Sequence, residues 1–154
     1  MHPISELFWN KPFFCALLAW AVAQAIKGLV TGFRFHEWSF ETFFGPGGMP
    51  SSHTSAVVAL TMSLGFTEGF GTPFFAISAV FATVVMYDAT GVRRETGKQG
   101  KAINELINEL LDIKGPDGKR LIPEELKEKI GHTPLEVIMG FVLGVLCSLL
   151  FCAL

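Results

Sequence analysis

The stretch PLEVIMGFVLGVLCSLLFCAL, residues 134–154, is apolar throughout except for one charged residue, Glu136. A helix that crosses the hydrocarbon core of a bilayer needs about 20 predominantly apolar residues. A second run close to that length covers residues 13–30 and is interrupted only by Gln24 and Lys27. These two runs indicate an integral membrane protein whose spans are helices.

The composition agrees with that assignment. Hydrophobic residues make up 50% of the 154 residues and charged residues 17%, and the mean hydropathy is +0.45; soluble domains carry about 25% charged residues. Twelve basic residues against fourteen acidic ones give no basic excess, so we expect no nucleic-acid partner. Cys15, Cys147 and Cys152 lie inside apolar runs, where a cysteine behaves as a small hydrophobic residue.

Two further apolar runs, residues 52–66 and 73–87, are about 15 residues long and therefore short for a span. Flanking residues can extend them across the bilayer, or they can be helices buried within a bundle. We predict an all-α integral membrane helical bundle, one domain over residues 1–154, with about four transmembrane or membrane-buried helices. Residues 21–25 resemble a signal-peptidase site, but the apolar pattern continues beyond them, which favours a retained helix.

A polar insert, residues 88–131, separates the third and fourth apolar runs. Within it, apolar residues recur at the spacing of one helix face and predict an amphipathic helix; they are Ile103, Leu106, Ile107, Leu110 and Leu111. Residues 115–118 carry a Gly-Pro-Asp-Gly turn signal, and residues 123–130, closed by Gly131, are typical of a short helix. We expect the insert to lie on the membrane surface or against the bundle.

Four crossing helices would bring chemically active residues to one face of the membrane. The end of the first run, the start of the second, the end of the third and the start of the fourth would meet there. The residues at those places are Lys27 and Arg34; Ser51, Ser52 and His53; Asp88, Arg93 and Arg94; and His132 and Glu136. That face would hold 11 of the 12 basic residues, which predicts that it is cytoplasmic. The opposite face has only Lys11 as a basic residue, and its loop near Glu68 has no histidine or arginine.

Cations and histidines at a lipid–water boundary suit a phosphate ester. Arginine offers a planar fork to phosphate oxygens and lysine offers a point charge. Residues 47–54, Gly-Gly-Met-Pro-Ser-Ser-His-Thr, are typical of a helix N-terminus, where backbone N–H groups and the helix dipole favour an anion. His53 would lie in the first turn of that helix. The expected ligand is therefore a phosphate ester.

In their order and spacing these residues resemble the type 2 phosphatidic acid phosphatase superfamily, which includes the vanadium-dependent haloperoxidases. The resemblance is closest to its divergent branch of small bacterial and plant proteins. The superfamily signature has three parts: Lys-x6-Arg-Pro, Pro-Ser-Gly-His and Ser-Arg-x5-His-x3-Asp. Lys27 and Arg34 keep the six-residue gap of the first part, with Phe35 in place of the proline. Residues 50–53, Pro-Ser-Ser-His, match the second part with Ser52 in place of the glycine.

The third part of the signature is the most altered. Arg93 or Arg94 supplies its arginine without the preceding serine, and about 37 residues separate that arginine from His132. Glu136 stands where the superfamily has aspartate. The resemblance extends over residues 27–136, most of the chain, and residues 87–94, Tyr-Asp-Ala-Thr-Gly-Val-Arg-Arg, are also similar to the divergent branch.

The resemblance implies a phosphatase without metal or other cofactor, acting on a phosphomonoester or diphosphate of a lipid, such as phosphatidate or a prenyl diphosphate. His132 would be the nucleophile that forms a phosphohistidine, Glu136 would orient its imidazole, and His53 would be the general acid. The groups implied to stabilise the phosphate oxygens are Lys27, Arg34, Arg93 or Arg94, and the amides of Ser51 and Ser52. Asp88 is expected to pair with one of these cations rather than to act as a base.

Other interpretations remain open. His132 can simply cap its helix, and Arg93 and Arg94 can be ordinary basic residues of the cytoplasmic face. His53, His132 and Glu136 can supply three metal ligands, although the nearby cations oppose a divalent ion. The alternative functions are a non-catalytic membrane protein that binds or moves phospholipid with the same cationic pocket, and a subunit that holds a larger assembly together through the insert. Short spans also allow a homodimer.

Overall fold

The structure is a computed structural model that describes residues 8–35, 48–110, 126 and 131–153, without the side chains of residues 34, 35, 108–110 and 153. Five helices follow one another in the described part of the chain. They are α1 (Lys11–Phe35), α2 (Ser52–Thr67), α3 (Pro73–Thr90), α4 (Val92–Leu110) and α5 (Pro134–Ala153).

Three helical stretches in the described residues are long and apolar enough to cross a membrane, namely Lys11–Phe33, Pro73–Ile107 and Pro134–Cys152. The second of them joins α3 to α4 across a single residue, Gly91. The predicted fold class, an all-α integral membrane bundle, is confirmed.

The short helix α2 is the centre of the bundle. It packs against α1, α5 and α3, and it buries small residues along its length: Ser52, Thr54, Ser55, Val58, Ala59, Thr61, Ser63 and Gly65. Of the two alternatives that the sequence leaves open for this segment, the structure shows a helix held inside the bundle.

Small residues allow α2 and α5 to approach closely. A Cβ atom on Gly140 would lie 2.6 Å from the Ser51 carbonyl oxygen, and one on Gly144 would lie 2.7 Å from the Ser55 carbonyl oxygen. Such a Gly-x-x-x-Gly face is a common way for membrane helices to pack, because backbone contact replaces side-chain burial. Hydroxyl groups on α2 donate to carbonyls one turn earlier, as Ser55 does to Ser51 at 2.9 Å. They therefore need no water inside the bundle.

The helix α3 lies at the periphery and presents an apolar surface. Phe74, Ile77, Val80 and Val84 are each more than half exposed, whereas its buried residues are only Ser78, Ala82 and Ala89. In a bilayer this exposed face suits contact with acyl chains.

The amphipathic helix predicted within the insert is confirmed as α4, and it buries Gly97, Gly100 and Asn104. The Asn104 side chain donates to the Leu126 carbonyl at 2.9 Å and accepts from the Leu126 N–H at 3.0 Å. Asp88 belongs to the last turn of α3 rather than to the insert. The predicted turn at residues 115–118 and the predicted helix at residues 123–130 lie outside the described residues.

Candidate active site at the histidine end

Backbone contacts bring three distant segments together at one end of the bundle, which we call the histidine end and define by Lys27, His53, Arg93 and His132. The Ser51 N–H, at the start of α2, donates to the Glu136 carbonyl at 3.0 Å. The His132 N–H donates to the Ala89 carbonyl, in the last turn of α3, at 2.9 Å. The start of α2, the end of α3 and the start of α5 thus form one cluster, as alternating helices require.

Gly131 fixes the position of His132. Its φ is +93°, and a Cβ atom there would lie 2.5 Å from the Arg94 nitrogen and 2.8 Å from the Arg93 carbonyl carbon. Only glycine fits, because both the left-handed backbone and the contact with the first turn of α4 exclude a side chain. The contact holds the arginines and His132 in adjoining positions.

His132 is only 8% exposed, and its Nδ1 lies 3.0 Å from Glu136 Oε2. A carboxylate at Nδ1 favours the tautomer with the proton on that nitrogen and leaves the Nε2 lone pair available. The same Glu136 oxygen accepts from the Thr133 N–H at 3.1 Å, and the Glu136 N–H donates to Thr133 Oγ1 at 3.4 Å. This is a capping box at the start of α5. The same Glu136 oxygen therefore caps α5 and contacts the His132 ring.

His53 occupies the first turn of α2, where its side chain stays open to solvent. Partial burial, followed by the charges of Arg93, His132 and Lys27, lowers the pKa of His53 below its ordinary value. The three charged neighbours belong to α4, the start of α5 and α1. His53 is thus the side chain at which the cationic groups of the histidine end converge.

Lys27 is 5% exposed and lies beside the loop that enters α2. A Cβ atom on Gly48 would lie 3.0 Å from Lys27 Cδ. Arg34 follows seven residues later on α1, almost two full turns, and so shares its face about 10 Å along the axis. The Arg34 side chain lies outside the described residues.

The sequence leaves open whether Arg93 or Arg94 belongs to the site. In the structure the positive charge of Arg93 is the one that helps to lower the pKa of His53. The Arg93 Nε donates to Asp88 Oδ2 at 2.5 Å, with the two side chains 57% and 37% exposed. An exposed ion pair contributes about 0–1 kcal/mol, so an anionic ligand can displace it at little cost. Arg94 touches Gly131 through its backbone, and its side chain is exposed.

The role expected for the Ser51 amide needs correction. That N–H already donates to the Glu136 carbonyl, and the Ser51 hydroxyl accepts from the Thr54 N–H at 3.4 Å as the N-cap of α2. The amides that lack an intrahelical acceptor are those of Ser52 and His53, in the first turn. The partner of Ser51 lies on another helix, which spacing along the chain does not reveal.

Three features of the histidine end are not predicted from the sequence: the Ala89 carbonyl, the Thr133 cap and the close contact at Gly131. Thr133 carries a readable signal, because Thr-Pro-Leu-Glu at residues 133–136 has the spacing of a capping box. Ala89 acts only through its carbonyl, which any residue would supply. Among the described residues, no group of three or more His, Cys, Asp or Glu side chains is placed to hold a metal ion.

The comparisons with known proteins agree with the resemblance. The model of the Divergent PAP2 family matches residues 8–147. The chain is 40% identical over 153 residues to a Bacillus subtilis protein described as uncharacterized membrane protein YuiD, covering 94% of this chain and 95% of the relative. No solved structure matches. The family predicted from the motifs is confirmed: this chain is a membrane protein of the Divergent PAP2 family.

Proposed function

We propose that this protein is a membrane phosphatase that hydrolyses a phosphomonoester or diphosphate carried by a lipid, of the phosphatidate or prenyl diphosphate type. The observation that carries the proposal is the contact between His132 Nδ1 and Glu136 Oε2 at 3.0 Å, in a cluster that also holds Lys27, His53 and Arg93. A histidine polarised in this way is a nucleophile, and cations around it suit a phosphoryl group.

In the first step His132 Nε2 attacks the phosphorus, and the bond from phosphorus to the leaving oxygen breaks. His53, in its protonated form, gives a proton to that oxygen, so that a neutral lipid alcohol or a protonated lipid phosphate departs. The phosphoryl group remains on His132 as a phosphohistidine. Glu136 offsets the positive charge that develops on the imidazole.

In the second step water attacks the phosphorus and the N–P bond breaks. His53, now neutral, accepts the proton of the water, which restores both histidines and releases inorganic phosphate. Lys27, Arg93 and the amides of Ser52 and His53 would hold the equatorial oxygens in both steps, with Arg34 as a further candidate. The Asp88 carboxylate would keep Arg93 oriented until substrate arrives.

The protein purified in detergent, with EDTA present, should release phosphate from a panel of lipid phosphates. His132→Ala and His53→Ala should each abolish release while the protein remains monodisperse and helical. His2→Ala is a matched control, since His2 belongs to no motif, and should leave release unchanged.

A folded wild-type protein that releases phosphate from none of the lipids would overturn the proposal. It would favour the alternative that the pocket binds or moves phospholipid. In that case loss of Lys27 or Arg93 should weaken lipid binding more than loss of either histidine.

We place the histidine end on the cytoplasmic side, on the distribution of basic residues. A homodimer is a further part of the proposal, supported by the peripheral apolar surface of α3, which can contact either lipid or a second copy. The variant Val80→Cys would allow a thiol cross-link between two copies through α3, and that cross-link would detect the dimer.

A further inference from the structure

A groove of about 540 Å³ lies at the end of the bundle away from the histidines, and we call it the distal groove. Its walls are residues 9–12 at the start of α1, Leu64, Thr67 and Glu68 at the end of α2, and Phe74 at the start of α3. Sites for small ligands have volumes of roughly 300–1,000 Å³, so the distal groove is large enough for a lipid headgroup.

One side of the distal groove favours an anion. Lys11 contributes an ammonium group there, and the N-terminus of α1 contributes the positive end of a helix dipole. Asn10 Oδ1 accepts from the Phe13 N–H at 3.0 Å. That hydrogen bond orients the Asn10 amide and leaves its NH2 group as a donor.

The other side favours a cation. The helix α2 ends at Thr67, and its C-cap is Glu68, so a carboxylate is added to the negative end of a helix dipole. Trp9 is 85% exposed and Phe74 is 63% exposed at the same groove. Exposed aromatic rings at the end of an apolar helix suit a membrane interface, and they attract ammonium groups.

The two charges are available to a ligand. Lys11 and Glu68 both line the distal groove, yet among the described residues neither belongs to an ion pair. Each therefore keeps its full capacity for a bound group of opposite sign. The exposed apolar side chains of Phe74 and Ile77 continue from the groove along α3, where acyl chains would lie.

We propose that the distal groove binds the headgroup of a phospholipid that carries both a phosphodiester and a primary ammonium group, the phosphatidylethanolamine type. Lys11 and Asn10 contact the phosphodiester, and Glu68 contacts the ammonium group. The lipid belongs to the leaflet opposite the histidine end. This binding does not depend on hydrolysis at the histidines.

The test uses a variant whose one tryptophan is Trp9, made by Trp20→Phe and Trp38→Phe, in nanodiscs of equal parts phosphatidylethanolamine and phosphatidylglycerol. One lipid at a time carries bromine on its acyl chains, which quenches the fluorescence of a nearby tryptophan. Phosphatidylethanolamine should associate about tenfold more strongly than phosphatidylglycerol, because only it satisfies Glu68. Glu68→Gln should reduce the ratio to about one, and the matched control Glu105→Gln on α4 should leave it unchanged.

Equal quenching by the two brominated lipids, or a preference that survives Glu68→Gln, would overturn the proposal. If the double tryptophan substitution prevents folding, native mass spectrometry of the otherwise unaltered chain replaces fluorescence. Wild type should retain phosphatidylethanolamine in preference to phosphatidylglycerol, and Glu68→Gln should lose that preference. Hydrolysis by the Glu68→Gln protein separates the two proposals, since it should be unaffected.

Discussion

The two ends of the bundle are built in different ways. At the histidine end, polar groups are held by contacts between separate helices, such as the Ser51 N–H on the Glu136 carbonyl, and Lys27 and His132 are buried. At the distal groove, Lys11 and Glu68 extend from helix ends and are exposed. A fixed constellation suits chemistry, which requires defined geometry, whereas exposed opposite charges suit reversible binding.

The largest difference in kcat between the two ends is expected when their carboxylates, Glu136 and Glu68, are replaced by amides. Glu136→Gln keeps an oxygen for the Thr133 N–H, so the capping box survives, but it removes the charge that orients His132 in the proposed mechanism. We expect kcat to fall at least about a hundredfold, with little change in stability, because the imidazolium loses its counter-charge. Glu68→Gln should leave kcat unchanged. Phosphate release and thermal unfolding of the two variants, measured in parallel, check this.

If Glu136→Gln retains full activity, its role is capping alone. Glu136→Leu, which removes both functions, should then lower stability by about 1 kcal/mol without an effect on kcat.

The next largest effect is expected from glycines at the two ends. Gly131→Ala forces a Cβ atom against the backbone of Arg93 and Arg94, whereas a Cβ atom on Gly71 has no atom within 4 Å. We expect Gly131→Ala to lower the free energy of unfolding by about 1–3 kcal/mol and to reduce activity, because His132 follows Gly131. Gly71→Ala should change neither. Chemical denaturation in detergent measures the free energies of unfolding. Equal values for Gly131→Ala and Gly71→Ala would show that the backbone around Gly131 can shift without loss of stability.

A smaller effect should separate the adjacent arginines. On the proposed mechanism Arg93→Gln removes a charge that reaches His53 and should reduce kcat/KM about tenfold. Arg94→Gln, whose side chain is exposed, is the matched control and should stay within twofold of wild type. Reversed effects would assign the phosphate contact to Arg94, and equal small effects would indicate that both residues serve only to set orientation in the membrane.

The sequence predicts the helices well and the site only partly. Apolar runs locate α1, α2, α3 and α5, because burial in lipid requires such runs. They do not show whether α2 crosses or is enclosed, since that depends on small residues facing Gly140 and Gly144 on another helix. The choice of Arg93, the use of the Ser51 amide by Glu136, and the distal groove share one property. Each depends on contacts between residues distant in the chain, which leave no local pattern.

The smallest predicted effect concerns pH. Partial burial and, after it, nearby positive charges disfavour the protonated form of His53 and lower its pKa below the ordinary 6.5. As the proposed general acid His53 must be protonated, so kcat/KM should fall as pH rises through that lowered pKa. Arg93→Gln removes one of the charges; the pKa of His53 then rises, and the basic limb of the profile should move to higher pH. Arg94→Gln and Glu68→Gln, which leave the surroundings of His53 intact, should keep the wild-type limb. A limb that does not move in Arg93→Gln would mean that a group other than His53 is the acid.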